Sequence, residues 1–355
     1  MGFGRGVLRH FLLGFEGERV PTALRPLLRD GLAGVAIYRR NWARVEDLRE
    51  LCDEIRQAAG TANVLIGIDQ EGGTKFSLPE PFTQWPSPAV LGARGDESAV
   101  EKIGAAMAAE LRAVGVNLNF APMLDVHVNA ESPVTTQRSF GSDPAQVGRM
   151  GAAFVRGLWK QGGVLACAKH YPGHGDVGVD PHDDLPVSEA SQDLLDSRDL
   201  PPFAAAIGAG VPTIMTAHVL LKNLAVEPTS LSRQMLHDVL RKRMGFSGVV
   251  FADDLGMGAI RTRYGVDKAA VMALAAGSDI IMLCHDWSLV QPSLAAVQRA
   301  LESYRLDDLE MRASKLRIEN LLKAASACAQ NAPPAETVGC SAHRQLATHF
   351  HHQGG

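Results

Sequence analysis

The sequence predicts an α/β fold built on a parallel sheet, on three observations. First, short and nearly continuous apolar runs recur: "GVAIY" (34–38), "NVLIGID" (63–69), "VNLNFAP" (116–122), "GVLACAKH" (163–170), "TIMTAHV" (213–219), "GVVFADD" (248–254) and "DIIMLC" (279–284). Runs of that length suit strands buried on both faces. Second, segments of helical periodicity lie between them, so strand and helix alternate. Third, the runs end in polar or charged residues, so candidate functional side chains follow many different strands. An open doubly wound sheet and a closed barrel share the alternation. The spread of polar strand ends favours a single (β/α)8 barrel of the TIM type, whose site is assembled from loops at the C-terminal ends of its strands. Seven runs are evident, so closure by an eighth strand is inferred.

The helices follow in order. "DLRELCDEIRQA" (47–58) carries an apolar face, and so does "SRQMLHDVLRKRMG" (232–245). In "SAVEKIGAAMAAELRAVG" (98–115), Val100, Ile103, Met107 and Leu111 share one face and Gly115 closes the helix. In "LDDLEMRASKLRIENLLKAA" (306–325), Asp307 is the expected N-cap, and Leu309, Ala313, Leu316 and Leu321 are the expected buried face. Periodicity is lost from Ala329 onward. The expected organisation is a catalytic barrel over residues 1–328 and a flexible tail over 329–355. Four histidines in the last thirteen residues leave metal capture open beside a mobile polar tail.

Composition excludes several classes. The chain has 355 residues, 46% hydrophobic and 21% charged, with a formal net charge of -4. That is an ordinary globular balance with no basic stripe for nucleic acid. No apolar stretch reaches the roughly 18 residues of a membrane span. The apolar stretch near the N-terminus is very short, broken by Gly14 and followed by acidic residues, unlike a signal peptide. The five cysteines are scattered and never form CxxC, which reads as reduced thiols in a cytoplasmic enzyme.

The densest chemistry lies in "AKHYPGHGDVGVDPHDDLP" (168–186). His170 and His174 have the spacing of helical metal ligands, but Pro172-Gly173 between them disfavours a helix, and no HExxH is present. No metal is expected. The second half reads as a loop. Asp180 and His182 lie two apart, and a carboxylate beside an imidazole fixes its tautomer and raises its basicity. Such a pair transfers protons near neutral pH; equally, Asp180 caps the loop and His182 is solvated. Asp253 and Asp254 end an apolar strand, where a carboxylate serves as a nucleophile or as a helix cap. Neighbours on a strand point oppositely, so at most one is expected to face a site squarely. Asp69 and Glu71 in "IDQEGG" suit bidentate hydrogen bonding of vicinal sugar hydroxyls, or belong to a glycine turn. Arg138 is a candidate donor to a polar substrate or a surface arginine. Lys169 ends a buried strand, where a charged lysine needs a partner.

Taken in order, "RRNW", "DQEGG", "NFAPMLDV", "RSFGSDP", "KHYPGHGDVGVDPHDDLP", "IMTAHV", "LSRQML" and "FADDLGM" resemble glycoside hydrolase family 3, in particular its single-domain bacterial β-N-acetylhexosaminidases. The resemblance covers roughly residues 10 to 325. It implies a (β/α)8 barrel, no metal and no cofactor. It also implies Asp253 as nucleophile, His182 as general acid/base with Asp180 as its dyad partner, and Asp69, Arg138, Lys169 and His170 as sugar-binding residues. The implied activity is a retaining exo-β-N-acetylglucosaminidase acting on peptidoglycan fragments in the cytoplasm, as a monomer. Phosphorolysis on the same scaffold and a catalytically silent sugar-binding barrel are the alternatives. The chain departs from the family pattern at Thr74-Lys75, where arginine and valine are common, at Thr136-Gln137, where Gly-Asp is common, and at Pro181, where serine is usual.

Overall fold

A computed structural model of the chain describes residues 3–61, 63–330 and 332–351. Among them, eight parallel strands close into a barrel: β1 Phe11–Leu13, β2 Gly34–Ala36, β3 Leu65–Ile68, β4 Leu118–Asn119, β5 Leu165–Tyr171, β6 Thr213–Thr216, β7 Val249–Ala252 and β8 Ile280–Leu283. They run in sequence order around the ring, and β8 returns to β1. Each apolar run seen in the sequence contains one strand, so the barrel reading holds.

The strand missing from the sequence reading is β1. It consists of "FLL" alone, too short to stand out between His10 and Gly14. Phe11 pairs with Ile281, and Leu12 pairs with both Met282 and Gly34, which closes the ring. The chain leaves β1 hard against β8. A Cβ on Gly14 would lie 2.1 Å from the Cys284 carbonyl oxygen, so only glycine passes there.

Helices cover the outside. Val45–Ala59 and Glu97–Ala113 sit where the periodicity places them, the latter capped by Asp96 and buried through Val100, Ile103, Met107 and Leu111. Inside the ring, Leu12, Leu65, Leu118, Leu165, Val249 and Ile280 form a second core, with Phe120 and Phe251 edge to face at 6.1 Å.

The helix Asp308–Ala329 plugs the N-terminal end of the barrel through Ile318, Leu321, Leu322 and Ala325. Asp307 is its N-cap, accepting from Leu309 N and Glu310 N as expected. Of the expected face Leu321 is buried, but the rest is corrected: Leu309 is 77% exposed and Leu316 59% exposed. Two apolar stripes compete on this helix, and the barrel mouth takes the one containing Ile318. Arg317 and Arg241 tie the base together by both pairing with the fully buried Asp279, whose second oxygen also accepts from Val250 N. With this end closed, only the C-terminal ends of the strands remain open to a site.

The segment expected to be a flexible tail carries a helix, Ser341–His351, among its described residues. Ala347 and Phe350 are buried, and the Arg94 guanidinium lies 4.9 Å over the Phe350 ring. The buried Glu110 accepts from Gly339 N at 3.0 Å, His343 Nδ1 at 2.9 Å and Thr83 N at 3.1 Å. Leu346, Ala347 and Phe350 pack on the core from one face of the helix, and with these contacts they dock the segment on the barrel, contrary to the sequence reading. His352 lies outside the described residues.

Candidate active site

A cavity of about 450 Å³ opens at the C-terminal ends of the strands. The seven residues to which the family resemblance gives a role all line it: Asp69, Arg138, Lys169, His170, Asp180, His182 and Asp253. Phe120, Met215 and Met282 supply its apolar floor. Such a polar rim over an apolar base offers hydrogen bonds to a ligand's polar groups and packing for its carbon skeleton.

One wall is built from paired cations and carboxylates. Lys169 Nζ lies 2.6 Å from Asp69 Oδ1 and 2.7 Å from Glu71 Oε1, so the buried lysine has its partners. Arg138 grips Glu71 from the other side with two hydrogen bonds of 2.8 Å. Burial alone would raise the Glu71 carboxyl, but Arg138 and Lys169 overcome it and hold it at about 2. Phe76 stacks on this pair, 4.3 Å from the Arg138 guanidinium and 5.4 Å from Lys169 Nζ. Arg138 spends much of its donor set on Glu71 and Val134 O.

His170 is held by Asp125, whose Oδ2 lies 2.8 Å from its Nδ1. A carboxylate only accepts, so Nδ1 carries the hydrogen and Nε2 is left for a ligand. Asp125 Oδ1 also takes His174 N at 2.7 Å. The His170 and His174 rings sit edge to face at 6.2 Å. Among the described residues, no group of three His, Cys, Asp or Glu is placed to hold a metal ion.

Beyond β7, Asp253 and Asp254 both line the cavity, and Asp254 Oδ1 accepts from Gly256 N at 2.9 Å. The strand ends at Ala252, so its alternation no longer governs them. Burial would raise Asp253, yet His218, His170, the Asp254 N–H and Lys169 hold it below the ordinary carboxylate range. That N–H donates to Asp253 Oδ1 at 2.8 Å. Asp254 goes the other way: burial pushes it up to about 6, and the Asp253 charge adds to the rise. His218 supports the pair from β6. Its Nε2 lies 3.1 Å from the Asp254 carbonyl and its Nδ1 2.8 Å from Ser230 Oγ. The carbonyl only accepts, so Nε2 carries the hydrogen; burial pulls this imidazole's pKa down, against the Asp253 charge, which raises it.

Asp180 and His182 sit on the loop after β5, opposite the aspartates. His182 Nδ1 lies 2.7 Å from Asp180 Oδ1, which also takes His182 N at 2.9 Å. The carboxylate thus holds the proton on Nδ1 and leaves Nε2 free. The His182 side chain is 62% exposed, so the ring stands at the cavity mouth. Sequence reasoning did not assign Phe76, Asp125, His174 or His218 to the site. Asp125 follows an apolar run by a few residues and His218 lies near the end of one, the signal by which the assigned strand-end residues stand out.

The description "Glycosyl hydrolase family 3 N terminal domain" matches residues 19–321. The chain is 39% identical over 274 residues to a beta-hexosaminidase from Xylella fastidiosa (strain M23), covering 76% of this chain and 80% of that protein. In structure it is similar to a glycoside hydrolase family 3 beta-N-acetylglucosaminidase from Paenibacillus sp. str. FPU-7, with a TM-score of 0.91 at 35% identity over 99% of this chain and 68% of that one. It is also similar to NagZ from Neisseria gonorrhoeae in complex with N-trifluoroacetyl-D-glucosamine, with a TM-score of 0.73 at 29% identity over 90% of this chain and 98% of that one.

Proposed function

The chain belongs to glycosyl hydrolase family 3, and on that premise we propose that it is a retaining exo-β-N-acetylglucosaminidase that removes terminal β-linked N-acetylglucosamine from peptidoglycan fragments. Its place is the cytoplasm, in cell-wall recycling that bears on cell division and shape, and it works as a monomer. No helix among the described residues is long and apolar enough to cross a membrane.

The observation that carries the reading is the pairing of an ionised Asp253 with the Asp180–His182 dyad across one cavity. Lys169, Arg138, Asp69 and His170 Nε2 hold the sugar hydroxyls. Asp253 attacks the anomeric carbon while protonated His182 gives its Nε2 proton to the departing glycosidic oxygen. The products of this step are a glycosyl ester of Asp253, a neutral imidazole and the free aglycone. Water then attacks the anomeric carbon, His182 Nε2 takes its proton, and Asp253 leaves as carboxylate. Two inversions give net retention. A histidine suits the second step because the base is neutral when Asp253 is esterified, and Asp180 stabilises the cation that forms.

The test is release of chromophore from aryl β-N-acetylglucosaminide against aryl β-glucoside. The expected result is preference for the acetamido sugar; equal rates on both would remove the N-acetylglucosamine assignment. Formation of a sugar 1-phosphate in phosphate buffer would replace hydrolysis by phosphorolysis.

A further inference from the structure

The loop that carries Asp180 and His182 is fastened at two places. At its base, Asp176 Oδ2 accepts from Ser188 Oγ at 2.7 Å and from Arg198 Nη2 at 2.9 Å. At its tip the contacts come from the backbone. Gly258 N donates to His182 O, and Ala259 N donates to Pro181 O, each at 3.1 Å. Arg263 Nη2 reaches Asp184 Oδ1 at 3.0 Å. The two N–H groups open the helix Gly258–Tyr264, which follows the Asp253-Asp254 pair. Groups in a first helical turn have no partner within their own helix, so the loop carbonyls satisfy them.

Gly258 is the residue to explain. Its backbone lies outside the left-handed region, so its conformation does not demand glycine. Within a helix, glycine is less favourable than alanine by about 1 kcal/mol. The reason for glycine is steric: a Cβ here would lie 2.5 Å from His182 O and 2.6 Å from Asp183 O. Both contacts are to backbone, which cannot swing aside as a side chain does.

We infer that Gly258 is a positioning residue, the seat on which the dyad loop docks so that His182 stands over the same cavity as Asp253. The inference rests on the reading of His182 as proton shuttle. The seat lies on the segment that leads away from the nucleophile, so loop docking and nucleophile placement share one rigid support. This arrangement fixes the distance between the two reacting groups more tightly than a loop held only at its base.

The test compares Gly258→Ala, Arg263→Gln and His182→Ala with wild type. Three quantities are read: hydrogen exchange of amides 178–184, melting temperature, and kcat/KM on N-acetylglucosaminides with poor and good leaving groups. Gly258→Ala is expected to speed loop exchange and to lower kcat/KM at least about 10-fold for the poor leaving group. The good leaving group should change less than about threefold, and the melting temperature should hold or rise, because alanine favours the helix. Arg263→Gln carries no clash and should shift exchange in the same direction by at most about fivefold, as an exposed ion pair allows. Unchanged loop exchange in Gly258→Ala overturns the seat, and so does an equal loss on both substrates. If His182→Ala itself shows no leaving-group selectivity, the shuttle reading fails, and exchange alone then decides the seat.

Discussion

Arg138 and Glu71 form a buried two-pronged ion pair, with Nε to Oε2 and Nη2 to Oε1 each at 2.8 Å. Lys169 joins the same carboxylate at 2.7 Å. The two cations that line the cavity therefore share one buried anion, which fixes their geometry before any ligand arrives.

Glu71→Gln should therefore destabilise the fold and weaken sugar binding together. Removing one partner of a buried pair costs about 3–5 kcal/mol. The pH dependence has a definite sign. The folded carboxyl sits at about 2 against an ordinary 4.5. Its contribution is thus fully present above about 4.5 and is lost as pH falls toward 2. Denaturant unfolding of both proteins should show a constant gap from pH 5 to 8 that narrows below 4.5. A gap independent of pH would mean that the pair does not carry this stability.

Asp253→Ala should lose nearly all turnover while the fold survives, because the side chain lies past the end of β7. An activated 2-fluoro sugar should label Asp253, and the first product seen by NMR should be the β-anomer. Label on Asp254, or an α-anomer first, would sink the assignment of nucleophile and of double displacement respectively.

Asp254 offers a separate handle. Burial and the neighbouring Asp253 push it up to about 6, so its ionisation is resisted in the folded state. That penalty is absent below about pH 4 and fully present above about 6. Asp254→Asn should therefore gain stability relative to wild type as pH rises through this interval, by on the order of 1 kcal/mol or more. It should also delete a titration near pH 6 from the kcat/KM profile. A profile that keeps that limb would assign it to another group.

The parts legible in the sequence share one property: their signal is local. An apolar run followed by a titratable residue locates a strand tip, and this recovered Asp69, Lys169, His170 and Asp253 on three strands. β1 was missed because three residues carry no period, although its pairing on both sides closes the barrel. The buried stripe of Asp308–Ala329 was misjudged because periodicity shows that a face exists, whereas the barrel mouth decides which one is used. Phe76 and Asp125 act through partners 62 and 45 positions away, Arg138 and His170, and no spacing rule reaches that far.

The dyad prediction is the most specific. Asp180 Oδ1 holds His182 Nδ1 at 2.7 Å, which leaves Nε2 as the atom proposed to exchange the proton. A poor leaving group needs that proton when the glycosidic bond breaks; a good aryl leaving group does not. His182→Ala should lower kcat/KM steeply on the former, by about 10²–10⁴-fold, as expected for lost general acid catalysis. On the latter only the later, water-dependent step should slow, so glycosyl-enzyme should accumulate as a burst. Asp180→Asn should follow the same pattern more weakly. The hydrogen bonds from His182 hold the Asp180 carboxyl below its ordinary range despite its partial burial, so the aspartate is an anion wherever the enzyme works. The amide in its place keeps a hydrogen bond to the ring but loses the charge that steadies the imidazolium. An equal loss on both substrates in His182→Ala, together with weaker ligand binding, would make His182 a sugar-binding residue and leave the proton to another group.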